Sequence, residues 1–298
     1  MLEVTKESVG EIKFKEIERE VMNTSTMLRS IHVENLHSFD SKIGVTSLTT
    51  AGNNMAWVIY FRSPTMYLYN DKGEVVRSVT VGGGEGINDM AITQSGEMIV
   101  TCMDNKVSRV SKSGKVYTMI DTAPFGCYGV CETGKQEIVV CMKDKVDENH
   151  VAVYSSDGRR KVREIRGRDG QGKHLITHPY RVVQNGQDLC VVNIDSNVVC
   201  VDEGDNVRWV YDGKQAKLDE SFCPLAICVD KYNNLLVNDG INDCVHYIDR
   251  EGELIQVILT EEQTGLQDHW GICLDDVSGL VWVGSTLDKK VVIAKYLN

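Results

Sequence analysis

Three sets of side chains in this 298-residue chain could do chemistry. Asn88, Asn193, Asp195, Asn238 and Asp239 offer the oxygen ligands that a calcium ion takes. Calcium wants roughly six to eight oxygens, several of them from carboxylates. No glutamate accompanies this set, and Asp and Asn are also the ordinary residues of tight turns. The second set is cationic. From Arg159 to Arg181 eight Lys/Arg stand against Glu164 and Asp169, a net +6 in a chain of net charge −11, which leaves −17 elsewhere. Arg159, Arg160, Lys161, Arg163, Arg166, Arg168 and Lys173 form a segment able to neutralise phosphates, so RNA is one candidate partner. The acidic remainder opposes that reading over a Debye length of about 8 Å. An acidic protein, or a solvated strand edge that discourages aggregation, accounts for the segment as well. The third set is Phe61, Arg62, Tyr128, His178, Tyr180, Arg181, Asn238, His269 and Trp270. Aromatic rings and arginine beside polar groups give large contact area with few rotors to freeze, which suits protein recognition.

Nucleophilic arrangements are missing. No Gly-x-Ser-x-Gly elbow occurs. Gly82-Gly83-Gly84-Glu85-Gly86 and Gly167-Arg168-Asp169-Gly170-Gln171-Gly172 lack the Gly-Lys-Ser/Thr ending of a phosphate-binding loop. The ten cysteines include no Cys-x-x-Cys pair and read as reduced, buried, small apolar side chains. On these grounds the chain is expected to be non-catalytic, with no cofactor and no metal.

The elements that position these residues repeat. Gly73, Gly114, Gly158, Gly204 and Gly252 recur at intervals of 41 to 48 residues, each ending a polar turn after an alternating apolar stretch. Apolar triplets recur in step: Ala56-Trp57-Val58, Met98-Ile99-Val100, Ile138-Val139-Val140, Cys190-Val191-Val192, Leu235-Leu236-Val237 and Val281-Trp282-Val283. Each triplet follows its own Gly/Asn-rich turn, as in a hairpin. A period of about 40–45 residues built from short strands marks β-propeller blades. The repeats predict an all-β, six-bladed ring with six first hairpins but only five second ones. An unpaired edge in the last blade would leave backbone groups unsatisfied, so a strand from Leu28–Phe39 is expected to pair into it and close the ring.

The organisation expected is a charged arm over residues 1–26, solvated or the end of a coiled coil, followed by the propeller over 27–298. No apolar stretch is long enough to span a bilayer and no signal-peptide core is seen, so a cytosolic location is expected, with neither a membrane nor DNA as partner.

Residues Pro224 to Gly252 resemble an NHL repeat, with Pro224, Ile227, Val229, Asp230, Val237, Asp239, Asn242, Val245 and Gly252 on its pattern. Trp270-Gly271-Ile272-Cys273-Leu274-Asp275 continues the likeness in the last repeat, while Ala226 and Arg181 stand where the pattern has glycine. Over residues 27–298 the chain resembles the C-terminal propeller of invertebrate tripartite-motif-like proteins. The resemblance implies a protein- or peptide-binding module that selects the target of a ubiquitin ligase, held on the face bearing the loops. Some NHL propellers bind RNA on a basic face, which is the alternative. Calcium-dependent lactonases and esterases are also six-bladed propellers and form a second alternative. The RING and B-box zinc modules of full tripartite-motif proteins have no counterpart in this sequence.

Overall fold

The computed structural model describes residues 32–81, 84–144, 148–194 and 196–297. The expected arm over 1–26 and the candidate Asp195 lie outside the described residues. Six four-stranded antiparallel sheets follow one another as blades. Blades 1 to 5 cover residues 47–80, 87–121, 126–165, 179–211 and 224–258, each running from an inner to an outer strand in chain order. Blade 6 takes its three inner strands from His269–Asp275, Leu280–Ser285 and Lys290–Leu297, and its outer strand from His32–Asp40.

The closure strand pairs antiparallel with the chain's last strand, from His32 opposite Leu297 to Asp40 opposite Lys290. Phe39 completes it by stacking on Tyr69 of blade 1 at 5.3 Å and meeting Trp282 of blade 6 edge-on at 6.2 Å. The apolar triplets sit in the second strands and are buried. Burial is organised by interface. Six apolar clusters each join two neighbouring blades, such as Val139 and Val191 between blades 3 and 4, or Val58 and Trp282 between blades 1 and 6. A sheet face that alternates into two neighbours explains the near-continuous valine and isoleucine of the inner strands. The recurring glycines turn the third strand into the outer one, with positive φ at Gly73, Gly114, Gly158 and Gly252. In blade 4 the neighbouring Asp205 takes the left-handed conformation instead of Gly204.

Five of the six inner strands carry a bulge near their first residue. The pairing skips Asn88, Tyr128–Gly129, Tyr180, Leu225 and Trp270 in blades 2 to 6. A bulge bends its strand and re-aims the extra side chain, so these residues leave the blade interfaces at the mouth of the central channel. Gly129 is required there, because a Cβ would lie 2.6 Å from the Arg181 Cα and from the Tyr180 carbonyl oxygen.

Ring closure yields a direct prediction. Phe39→Ala removes the ring that bridges blades 6 and 1 and is expected to cost about 2 kcal/mol. Thermal melting should show a fall of several degrees. Val76→Ala, on an exposed outer-strand position, should leave the melting temperature unchanged.

Candidate functional site at the channel mouth

The loops that enter each inner strand and those that leave each second strand share one face. Buried polar groups brace them against each other. The Asn193 side-chain oxygen accepts the N–H groups of Thr177 and His178, both at 3.0 Å, while its amide donates to the Leu175 carbonyl. One blade on, the Asp239 carboxylate accepts the N–H groups of Cys223, Ile241 and Asn242. In blade 6 the Ser285 hydroxyl donates to the Gln267 carbonyl. Asn88 donates to the Cys127 carbonyl and Asn238 to the Gly271 carbonyl. The described members of the calcium candidate set are therefore distributed over separate loop braces.

Tyr128, Tyr180 and Trp270, three of the bulged residues, meet above the channel. Tyr128 and Tyr180 lie 6.1 Å apart between ring centres, and Tyr180 meets Trp270 edge-on at 6.4 Å. These spacings and angles are those of favourable aromatic pairs. The Trp270 indole N–H donates to Asp268 at 2.7 Å, which fixes its ring. Lys143 sits 5.0 Å over Tyr128 and the Arg181 guanidinium 4.1 Å over Tyr180. Residues from blades 3, 4 and 6 thus form an aromatic collar in which Tyr128 and Trp270 are half-buried and Tyr180 is buried between them, with exposed His178 beside it at the entry to blade 4.

Beneath the collar the channel is plugged. Arg181 is buried and spans the ring from blade 4. Its Nε lies 3.5 Å from Asp89 Oδ1 in blade 2, and its Nη2 donates to the Thr46 carbonyl at the entry to blade 1. Asp89 also accepts the Ser47 hydroxyl at 2.7 Å and the Val130 N–H at 3.0 Å. Burial works against the Arg181 charge, but Asp89, Tyr180 and Cys141 together outweigh it and hold the guanidinium above its ordinary range. Below the plug a cavity of about 450 Å³ opens to the opposite face past Thr50, Gln94 and Gln184.

The structure brings together Tyr128, Tyr180 and Trp270, with Arg181 as the cation beneath them. Asn238 and His269 are fully buried below the surface of this face. Phe61 and Arg62 form a separate cation–π pair at 5.2 Å in blade 1. The basic segment runs along the turn and outer strand of blade 3 and over the loop to blade 4. Four of its residues face carboxylates: Arg159 with Asp157, Lys161 and Arg166 with Glu164, and Arg168 with Asp205. All ten cysteines are free, and burial pushes the Cys127 thiol up to about 11 and Cys131 up to about 12.

Sequence reasoning missed the Arg181–Asp89 plug and a second array, Tyr211–His246–Asp239, between blades 4 and 5. The Tyr211 hydroxyl lies 2.7 Å from His246 Nδ1, and His246 Nε2 lies 3.2 Å from Asp239 Oδ2. The available signal was the pattern Asp239-x4-Cys244-x-His246 across a predicted hairpin turn.

No family model and no curated protein matches the chain. The fold is shared with solved structures. Virginiamycin B lyase from Staphylococcus aureus is 15% identical with a TM-score of 0.62, over 90% of this chain and 100% of the other. Luciferin-regenerating enzyme is 8% identical with a TM-score of 0.67, over 88% of this chain and 95% of the other. The WD40 propeller domain of Doa1 is 14% identical with a TM-score of 0.61, over 89% and 97%. At these identities the likeness shows the β-propeller, and the NHL and tripartite-motif resemblance rests on the sequence motifs.

The expectation of a non-catalytic chain is corrected by these relatives, since two of them are propeller enzymes. That expectation rested on motifs local in sequence. A propeller assembles a site from loops of separate blades, so a missing local motif does not exclude catalysis. Among the described residues no helix is long and apolar enough to cross a membrane.

His269 supplies a pH test. Burial holds its imidazole down at about 4, against 6.5 for a free histidine, so it is neutral in the folded state at neutral pH. The unfolded chain binds the extra proton first. The stability associated with neutral His269 is fully present above pH 6.5 and is lost as pH falls toward about 4. The slope expected from this one group is about 1.4 kcal/mol per pH unit. Denaturant unfolding across that window should show a shallower slope for His269→Gln.

Proposed function

We propose that the chain binds a protein or peptide segment laid across the channel mouth, on the collar of Tyr128, Tyr180 and Trp270, with His178 at its edge. The observation that carries this reading is an aromatic platform directly above a plug. A ligand that meets Arg181 and Asp89 just beneath the rings cannot thread the channel from this face and must be recognised by surface contact. Rigid rings bury area at little entropic cost, which is how hot spots at protein interfaces are built. A WD40 domain among the structures of the same fold is consistent with a binding role. The NHL-like motifs of blades 5 and 6 extend the reading to target recognition in a tripartite-motif-like protein.

The basic segment gives less support to RNA as the ligand. Four of its seven cations already face carboxylates, and a groove for a strand of phosphates needs free ones.

Peptides selected from a random library on the full chain provide the test. Tyr128→Ala and Trp270→Ala are each expected to weaken the selected peptides about tenfold or more by fluorescence anisotropy. Arg159→Ala with Arg160→Ala should leave affinity unchanged. Selected peptides indifferent to both collar variants would overturn the assignment.

A further inference from the structure

Between blades 4 and 5 the face carries a cleft of about 430 Å³, with Asp239 and His246 at its base and Lys214, Ser221 and Asn242 along its walls. Asp239 ends the second strand of blade 5, and its register partner on the third strand is Cys244. His246 lies two residues further along that third strand, so its side chain shares the Cys244 face. The ligand atoms of Asp239, Cys244 and His246 all lie within 4.8 Å of one another, and all three residues are buried.

We propose that Asp239, Cys244 and His246 form a zinc site whose fourth position opens into this cleft. A second observation points into the same space. His246 Nε2 is buried 3.2 Å from Asp239 Oδ2, without the geometry of a regular hydrogen bond. Zinc bonds of about 2.0 Å to N and O and about 2.3 Å to S set ligand atoms about 3.3–3.6 Å apart in a tetrahedron. The three side chains supply one nitrogen, one oxygen and one sulfur, a mixture that suits zinc over calcium or magnesium.

The surroundings fit a metal-bound imidazole. His246 Nδ1 is 2.7 Å from the Tyr211 hydroxyl, which fixes the ring and can accept the Nδ1 proton once Nε2 binds metal. Phe222 lies 4.8 Å from the imidazole and shields it. The Asn242 amide donates to Asp239 Oδ2 at 2.7 Å, and the backbone donors to this carboxylate go to Oδ1. Oδ2 thus keeps one lone pair for the ion.

Cobalt is the probe for the test, because a thiolate bound to cobalt gives a charge-transfer band in the near ultraviolet. The full chain, stripped with a chelator and titrated with cobalt, is expected to bind one equivalent and show the band. Cys244→Ser should abolish the band, and the buried control Cys273→Ser should retain it. Tyr211→Phe should weaken zinc about tenfold or more in competition with a chromophoric chelator. X-ray absorption of the zinc-loaded wild-type chain, which depends on no variant folding, should show one sulfur and otherwise nitrogen or oxygen neighbours. Failure of the wild-type chain to retain zinc or cobalt at micromolar concentration overturns the proposal. So does a thiolate band that survives Cys244→Ser, or a zinc shell with no sulfur or with several.

Discussion

The pairing of residues 32–40 with the last strand is the contact on which the ring depends. Each of the six interior clusters belongs to an interface between two blades, and among the described residues no blade has a core of its own. A blade is stable only with both neighbours in place, so a ring open at one interface exposes two apolar sheet faces as well as an unpaired edge. Drawing the closing strand from the far end of the chain ties blade 6 by its backbone to the start of blade 1. The aromatic contact of Phe39 with Tyr69 and Trp282 adds side-chain packing across the same seam.

Closure also sets the geometry at the centre. Six inner strands converge there, and their first residues crowd one another. Five of them relieve this by a bulge, and the bulged residues become the rim of the channel. The same crowding lets Arg181 reach from blade 4 to Asp89 in blade 2 and Thr46 in blade 1. A buried ion pair contributes little net stability by comparison with apolar packing, but loss of either partner strands a charge in the interior. The pair therefore fixes the relative position of three blades, and the collar rests on this support.

Much of the fold was legible in the sequence because a repeat prints its period. The glycine turns and apolar triplets placed all six blades, and the missing outer strand implied a closure from the N-terminal side. The rim was legible in part. Tyr128, Tyr180 and Trp270 stand at the entries of their blades, where loop residues are expected to face a ligand. Which neighbour turns inward was not legible, since a bulge shifts the pleat by one residue and nothing local marks it. Arg181 reads as a surface cation beside Tyr180 and is in fact the plug. His269 reads as exposed beside Trp270 and is buried for the same reason. The cluster of Asp239, Cys244 and His246 needed the register of two strands, and periodicity alone does not bring those residues together. The absence of local catalytic motifs misled, because structures of the same fold include enzymes.

The central claim is that the collar is the working surface, and photo-cross-linking tests it most directly. A selected peptide carrying a benzophenone at its centre is irradiated on the full chain and the attachment points are mapped by mass spectrometry. The account predicts attachment at Tyr128, His178, Tyr180, Trp270 or their immediate loop neighbours. Attachment confined to the outer strand of blade 3 around Lys161, or to the opposite opening of the channel near Gln94 and Gln184, would contradict it.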